Sequence, residues 1–142
     1  METEELANLT QELIHAALAA AERSYSPYSG FRVGAALKLT NGEIVTGTNV
    51  ENVSYGLTIC AERAALVRAV ARYGPEIRVA AVAVVNLNGA ASPPCGACRQ
   101  VLAEFMDADA PVSFPGSDAS GVVTVTLPMR ELLPYGSDMQ LK

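Results

Sequence analysis

The sequence predicts an α/β fold, with helices covering both faces of a mixed sheet of about five strands in a three-layer α-β-α arrangement. Residues Val79 to Val85 form an unbroken apolar run, which is typical of a strand buried on both faces and reached by crossover connections. Helical patterns stand before and after this run, and a hairpin signal lies upstream. With 142 residues, half of them hydrophobic, the chain suits one core, so we expect a single domain over residues 1–142.

The first third of the chain reads as a helix followed by a hairpin. From Glu4 to Arg23, apolar residues recur every three or four positions, which predicts an amphipathic helix. Residues Phe31 to Leu39 alternate as a half-buried strand does, and Glu43 to Thr48 form the returning strand. The Asn41-Gly42 pair between them predicts a turn with positive φ at both residues. The polar segment 49–52 then lies at a strand end.

The rest of the chain alternates helices and strands. Gly74-Pro75 ends one predicted helix and Pro93-Pro94 precedes another. The predicted elements are a helix from Cys60 to Tyr73, the buried strand, a helix from Cys95 to Met106, strands at Val112 to Phe114 and Val122 to Leu127, and a helical turn from Met129 to Leu133.

Charge and cysteine number narrow the classes of partner. Lys and Arg total 10 against 15 for Asp and Glu, and the basic residues are scattered, so we expect no nucleic-acid polymer as partner. No segment approaches the roughly 20 apolar residues of a membrane span, and the N-terminus is acidic rather than basic, so we expect no membrane partner. Three cysteines cannot all pair, which favours reduced thiols and a cytoplasmic location.

The three cysteines suggest a metal site. Cys95 and Cys98 are separated by two residues at a predicted helix start, so both thiols face one side. Cys60 stands at another predicted helix start, and the positive ends of both helix dipoles stabilise thiolates there. Three protein ligands leave zinc a fourth position for water, as in catalytic sites. A redox pair at 95–98 and a closed structural zinc site remain alternatives.

Glu62 gives this metal site a catalytic interpretation. Cys60-Ala-Glu62 and Pro94-Cys-Gly-Ala-Cys98 resemble the two-part signature of zinc deaminases, in which the Glu carries protons and does not bind the metal. The reaction requires an activated water that attacks an amine-bearing ring carbon and a carboxylate that moves protons to the ring nitrogen and the leaving ammonia. A solvated surface carboxylate is the alternative interpretation of Glu62.

Arg63 is the candidate for balancing the charge of the cysteines. Three thiolates around a dication leave one negative charge in excess, which calls for a nearby cation. Arg63 is adjacent to Glu62 in the sequence. The alternative is an arginine on the helix surface that pairs with a carboxylate.

Beyond the zinc signature, the chain resembles the small homotetrameric cytidine deaminase family from about Ser24 to Pro134. The segments that carry the resemblance are Pro27-Tyr-Ser29, Phe31-Arg-Val-Gly-Ala-Ala36, Asn49-Val-Glu-Asn52 and Cys98-Arg-Gln100. The resemblance implies the fold of that family, one zinc ion per subunit, and a homotetramer whose sites are completed by neighbouring subunits. It also implies hydrolysis of cytidine and deoxycytidine to uridine and deoxyuridine plus ammonia, in pyrimidine salvage.

The same resemblance implies roles for five residues around the nucleoside. Asn49 and Glu51 correspond to the residues that bind the ribose hydroxyls, and an amide beside a carboxylate suits that task. Phe31 packs near the nucleoside, and the Ala61 backbone contacts the pyrimidine edge. Tyr55 reaches a neighbouring subunit's site.

Three other functions share parts of this signature. A blasticidin-type deaminase has the same zinc residues, but the segment from Asn49 to Asn52 favours a plain nucleoside. Nucleotide and polynucleotide deaminases need cationic phosphate contacts, for which the chain has no cluster. A zinc-stabilised interaction module would explain the thiols and leave Glu62 without a role.

Overall fold

The computed structural model describes residues 3–137 and contains the helices and strands that the sequence predicts. In chain order the elements are α1 (Thr3–Ala21), β1 (Val33–Leu39), β2 (Ile44–Thr48), a 3₁₀ turn (Tyr55–Leu57), α2 (Ala61–Tyr73), β3 (Val79–Asn86), α3 (Gly96–Ala103), β4 (Pro111–Asp118), β5 (Gly121–Pro128) and α4 (Met129–Leu132). The 3₁₀ turn was not predicted.

The five strands form one mixed sheet in the order β2-β1-β3-β4-β5. β1 is antiparallel to both β2 and β3, and β4 is antiparallel to β5. β3 and β4 are parallel, with Val82 opposite Val112. A parallel pair needs a crossover, and α3 lies within it, so the loop after β3 leads directly into the Cys95–Cys98 segment.

Helices cover the sheet on both faces, as predicted. On one face, Leu13, Ala17 and Ala21 of α1 pack against small residues of β1 and β3. On the other face, α2 and α3 pack against β-branched and leucine side chains of the sheet, for example Leu66 and Leu102 around Val82. The larger hydrophobic cluster thus lies on the side that carries the cysteines.

Two glycines let the helices approach the sheet closely. A Cβ at Gly34 would lie 2.0 Å from the Ala17 carbonyl oxygen of α1, and one at Gly47 would lie 2.4 Å from the Ala65 nitrogen of α2. Both clashes involve backbone atoms, which cannot move aside without shifting a helix. Gly47 therefore sets how closely the cysteine-bearing end of α2 sits on β2.

Three predicted details were wrong. The short strand predicted from Val112 to Phe114 runs from Pro111 to Asp118, because it pairs along its whole length with β5. The predicted helix that begins at Cys95 ends at Ala103 instead of Met106, because the Phe105 carbonyl accepts from the Val79 N–H and Met106 bridges to β3. In the hairpin, Gly42 has φ 96° but Asn41 does not adopt positive φ. The Asn41 side chain accepts from the Glu43 N–H, so Gly42 alone takes the left-handed conformation.

None of the helices within residues 3–137 combines the length and the apolarity needed to cross a membrane.

Candidate active site

The two helices α2 and α3 begin next to each other, and their first residues bring the three thiols together. Cys60 is the N-cap of α2 and Cys95 the N-cap of α3, both with extended backbone, and Cys98 lies in the first turn of α3. The three Sγ atoms lie within 4.8 Å of one another, with Cys60 and Cys95 3.9 Å apart. All three cysteines are free thiols, and Cys60 lies beside Cys95 and Cys98, which a redox pair formed by Cys95 and Cys98 alone would leave without a role.

The geometry of the thiols suits a zinc ion. Sulphur ligands at about 2.3 Å in a tetrahedral arrangement lie about 3.8 Å from one another. The Sγ atoms of Cys60 and Cys95 already have nearly this separation, at 3.9 Å. Cys98 is fully buried and Cys95 is exposed, so the cluster is enclosed by protein around Cys98 and is accessible to solvent at Cys95. The residues present therefore fit one zinc ion with a free coordination position.

Hydrogen bonds and a cation favour the ionised form of Cys60. The Cys98 thiol, together with Arg63, lowers the pKa of Cys60 to about 5 against the opposing effect of burial. The pKa of Cys98 is raised, first because its thiol hydrogen-bonds to Cys60 and then because it is buried. The helix N-termini add positive potential at the same place.

Arg63 lies beside the thiols rather than on a solvated face. Its Nη2 donates to Cys60 Sγ at 3.5 Å, and this bond raises the pKa of the guanidinium further. Its Nε is buried and has no hydrogen-bond partner among the described residues. The contact is the one expected of a cation that offsets thiolate charge.

Glu62 is buried, which excludes the surface-carboxylate interpretation. Its side chain is 4% exposed although it lies in the first turn of α2. Burial is the largest cause that raises the pKa of Glu62 above the ordinary range of a carboxyl group. A buried carboxyl group that lies beside a metal-binding cluster and has a raised pKa is suited to accept and return a proton.

A cavity of about 180 Å³ is lined by Glu62, Cys60 and Cys95 and by three of the residues predicted to contact the nucleoside. Its apolar walls include Phe31 and Val84, and Ala61 and Glu62 line it from α2. Asn49 also lines it, whereas Glu51 and Tyr55 are not among its lining residues. A larger cavity of about 400 Å³ near Arg78 and Arg130 lies at the opposite end of β3 and contains none of the predicted site residues.

Asn49 is buried and bonded to the loop that carries Phe31. Its Nδ2 donates to the Phe31 carbonyl at 2.8 Å, and its Oδ1 accepts from the Val33 N–H at 3.0 Å and from the Ser24 hydroxyl. Asn49 thereby connects the end of β2 to the loop that precedes β1.

Glu51 is held by the turn at residues 28–29. Its Oε1 accepts from the N–H groups of Tyr28 and Ser29 at 3.0 and 3.1 Å, and its Oε2 accepts from the Ser29 hydroxyl. The Ser29 hydroxyl is the largest cause that lowers the pKa of Glu51, so the carboxylate stays charged in mildly acidic solution. In this conformation Glu51 orders the turn beside the cavity.

Tyr55 is a predicted site residue that lies on the surface instead of in the cavity. It lies in the 3₁₀ turn and is 86% exposed. Apolar neighbours on the same segment, including Val53 and Leu57, are also exposed. Eight of the ten predicted site residues lie together at the cavity or the thiol cluster: Cys60, Cys95, Cys98, Glu62, Arg63, Ala61, Phe31 and Asn49. Glu51 bonds to the turn at residues 28–29 and Tyr55 is exposed, and neither lines the cavity.

Sequence reasoning missed two side chains that shape this site. Asn88 donates to the Gly30 carbonyl at 3.0 Å and accepts from the Arg32 N–H at 2.9 Å, so it brackets Phe31. Arg99 donates to the carbonyls of Pro94 and Leu132 at 2.7 and 3.1 Å. Both side chains bind backbone groups. Because every residue has a backbone, no partner residue type marks such a bond in the sequence. Only the resemblance around Cys98-Arg-Gln100 pointed to one of them.

Comparisons with known proteins agree with this arrangement. Residues 7–113 match the family described as the cytidine and deoxycytidylate deaminase zinc-binding region. The chain is 47% identical over 124 residues to the cytidine deaminase of Halalkalibacterium halodurans, which covers 87% of this chain and 90% of that protein. It is 49% identical over 96 residues to a cytidine deaminase of Mycobacterium tuberculosis, covering 68% of this chain and 71% of that protein.

Solved structures give the same result. The crystal structure of cytidine deaminase from Burkholderia pseudomallei superimposes with a TM-score of 0.78 at 43% identity, covering 89% of this chain and 98% of that one. The crystal structure of cytidine deaminase from Mycobacterium tuberculosis gives a TM-score of 0.75 at 38% identity, covering 91% and 97%.

Proposed function

The chain belongs to the cytidine deaminase family, and on that basis we propose that it hydrolyses cytidine and deoxycytidine to uridine and deoxyuridine plus ammonia. The observation that carries the proposal is the buried Glu62 carboxyl, which lines one cavity together with Cys60 and Cys95. A catalytic acid-base group and a metal-binding cluster thus face the same small space. We propose one catalytic domain over residues 1–142, acting in pyrimidine salvage.

Cys60, Cys95 and Cys98 would hold one zinc ion, and Arg63 would offset the excess thiolate charge. When bound, zinc supplies the Lewis acid that makes water nucleophilic near neutral pH. The buried Glu62 carboxylate takes a proton from the attacking water and delivers it to the ring nitrogen. It then takes the second proton from the hydroxyl group formed on the ring carbon and delivers it to the leaving amino group. Its raised pKa keeps the carboxyl group able to do both.

The base and the sugar would be held by different residues. The apolar wall formed by Phe31 and Val84 excludes water from the base, and the Ala61 backbone at the start of α2 contacts the pyrimidine edge. Asn49 and Glu51 bind the ribose hydroxyls, which requires the Glu51 carboxylate to accept from a sugar hydroxyl as well as from the N–H groups of the turn at 28–29. None of the described residues that line the cavity is Lys or Arg, which favours a nucleoside over a nucleotide.

We also propose a homotetramer in which a neighbouring subunit completes each site. The cavity, at about 180 Å³, is smaller than the roughly 300–1,000 Å³ of pockets that enclose a whole ligand. The segment beside it exposes Val53, Tyr55 and Leu57, with Tyr55 at 86%. Contiguous exposed apolar side chains next to an open pocket are suited to association. Light scattering should give four chain masses; a stable monomer with full activity would contradict this part.

The proposed activity can be tested with the purified protein. We expect about one zinc ion per chain and a fall in ultraviolet absorbance when cytidine or deoxycytidine is added, with cytidine 5′-phosphate a poor substrate. Stoichiometric zinc without turnover would instead favour a zinc-stabilised interaction module. Three unpaired thiols support the cytoplasm as the location we propose, since that compartment keeps thiols reduced.

A further inference from the structure

Arg99 joins three parts of the chain around the Cys95–Cys98 segment. Its Nε donates to the Pro94 carbonyl at 2.7 Å, directly before Cys95. Its Nη1 donates to the Leu132 carbonyl at 3.1 Å, at the end of α4. Its own N–H donates to the Cys95 carbonyl at 3.0 Å. One residue therefore binds both carbonyl groups that flank the Cys95 nitrogen and Cα.

The loop before Cys95 has few other hydrogen bonds that could hold it in place. Pro93 and Pro94 have no N–H groups, so neither can donate a backbone bond. Ser92 is anchored through its N–H to the Pro115 carbonyl and through its hydroxyl to Asn86. After Ser92, the Pro94 carbonyl is the next backbone group of this loop that forms a hydrogen bond to a described residue, and its donor is charged.

Cys95 also differs from the other two cysteines in its support. Cys98 is fully buried within α3, and Cys60 follows Ile59, which exchanges two backbone hydrogen bonds with Val50. Cys95 is exposed and lies at a helix N-cap next to the two prolines. Burial therefore holds Cys98, and the Ile59–Val50 pair holds the backbone before Cys60. The Cys95 sulphur accepts from the Cys98 N–H at 3.4 Å, and the backbone on both sides of its Cα is held through the Pro94 and Cys95 carbonyls, which both accept from Arg99.

We propose that Arg99 is a positioning residue of the metal centre, which sets the orientation of the Pro94–Cys95 peptide and thereby places the Cys95 sulphur for zinc. Through Leu132 it also couples the C-terminal segment to the same loop. The hydrogen bonds from the Arg99 guanidinium to two carbonyls are stronger than bonds from a neutral donor. Among the described residues, Arg99 forms no ion pair with a carboxylate that would compete with these bonds. The inference rests on the proposed zinc site.

The test compares zinc release in Arg99→Gln and Arg99→Lys with release in Arg68→Gln. Arg68 is a matched control, because its Nη1 also donates to a main-chain carbonyl, that of Thr46, at 3.0 Å, away from the cysteines. Zinc transfer from the loaded protein to a chromogenic chelator is followed at fixed temperature. Loss of an outer partner of a metal ligand costs about 10–100-fold in metal affinity. We expect at least about tenfold faster release from Arg99→Gln, an intermediate rate from Arg99→Lys and the wild-type rate from Arg68→Gln.

A second readout separates positioning from general stability. In the cobalt-substituted protein, the thiolate-to-cobalt absorption band should change in both Arg99 variants and stay unchanged in Arg68→Gln. Release at the wild-type rate from a folded Arg99 variant would overturn the proposal, as would equal acceleration by Arg68→Gln. If Arg99→Gln does not fold, Arg99→Lys decides by the same criteria. A wild-type protein that binds no zinc would refute the proposed function itself, and this inference with it.

Discussion

The metal side of the cavity, which carries the cysteines and Glu62, is built from helix ends. The nucleoside side, where Asn49 and Glu51 are proposed to bind the ribose, is built from loops. Cys60, Cys95 and Glu62 occupy the N-caps or first turns of α2 and α3, and Glu62 is 4% exposed. Asn49 and Glu51 instead follow a strand end, and they bond to a loop that lies 16 to 25 residues away in sequence.

We expect this difference to separate the catalytic step from the binding of the nucleoside. The metal side has its proposed ligands, proton carrier and cation within one chain, so changes there should alter zinc content or turnover. The nucleoside side is open and depends on loop order and exposed neighbours such as Tyr55, so changes there should alter KM with little effect on zinc. A variant whose effect crosses this division would show that the two sides are coupled.

The largest expected effect is on the metal side, in Glu62→Gln. Removing the carboxylate without changing its size should keep about one zinc per chain and lower kcat by about 10²–10⁴-fold, because proton transfer is lost. Zinc analysis together with the absorbance assay measures both quantities. Glu12→Gln, at an exposed position of α1, is the control and should match the wild type. Substantial activity in Glu62→Gln would remove Glu62 as the proton carrier.

A smaller effect is expected on the nucleoside side, in Glu51→Ala. Hydrogen bonds to a charged group are stronger than those between neutral groups, so kcat/KM for cytidine should fall about 10–100-fold, mainly through KM, with zinc unchanged. The matched control is Glu43→Ala in the β1–β2 hairpin, where the glutamate is exposed. Steady-state kinetics equal to those of the wild type would contradict the ribose assignment.

The smallest effect is expected in Asn88→Ala. Asn88 holds the peptide groups on both sides of Phe31, and a neutral hydrogen bond contributes about 0.5–1.5 kcal/mol. KM should therefore rise about 3–10-fold while kcat stays within about twofold. Asn41→Ala also loses a side-chain bond to a loop N–H but lies in the hairpin, and it should leave KM unchanged. A lower kcat with unchanged KM would show that Phe31 is not what Asn88 positions.

The two sides also differed in how far the sequence predicted them. Within each half of the metal site the arrangement was predictable, because residues two or three apart at a helix start have defined relative positions. Cys60 and Cys95 are 35 residues apart, and their meeting was predicted from the resemblance to the two-part signature of zinc deaminases. Asn49 and Glu51 were assigned only through the family resemblance, and the hydrogen bonds they make to the loop at 24–33 were not foreseen.

The errors in the fold have the same origin. The helix at Cys95 ends early because the Phe105 carbonyl bonds to Val79, which is a tertiary contact that the helical pattern cannot reveal. Asn41 avoids positive φ because its side chain binds a nearby N–H. Asn88 and Arg99 escaped notice since their partners are backbone carbonyls and N–H groups, which every residue offers.

The most direct test of the account is zinc K-edge X-ray absorption on the purified zinc-loaded protein. If Cys60, Cys95 and Cys98 together hold one open zinc site, the spectrum should fit three sulphur ligands at about 2.3 Å and one lighter atom. Two or fewer sulphur ligands per zinc would contradict the claim that the two helix ends form a single metal centre.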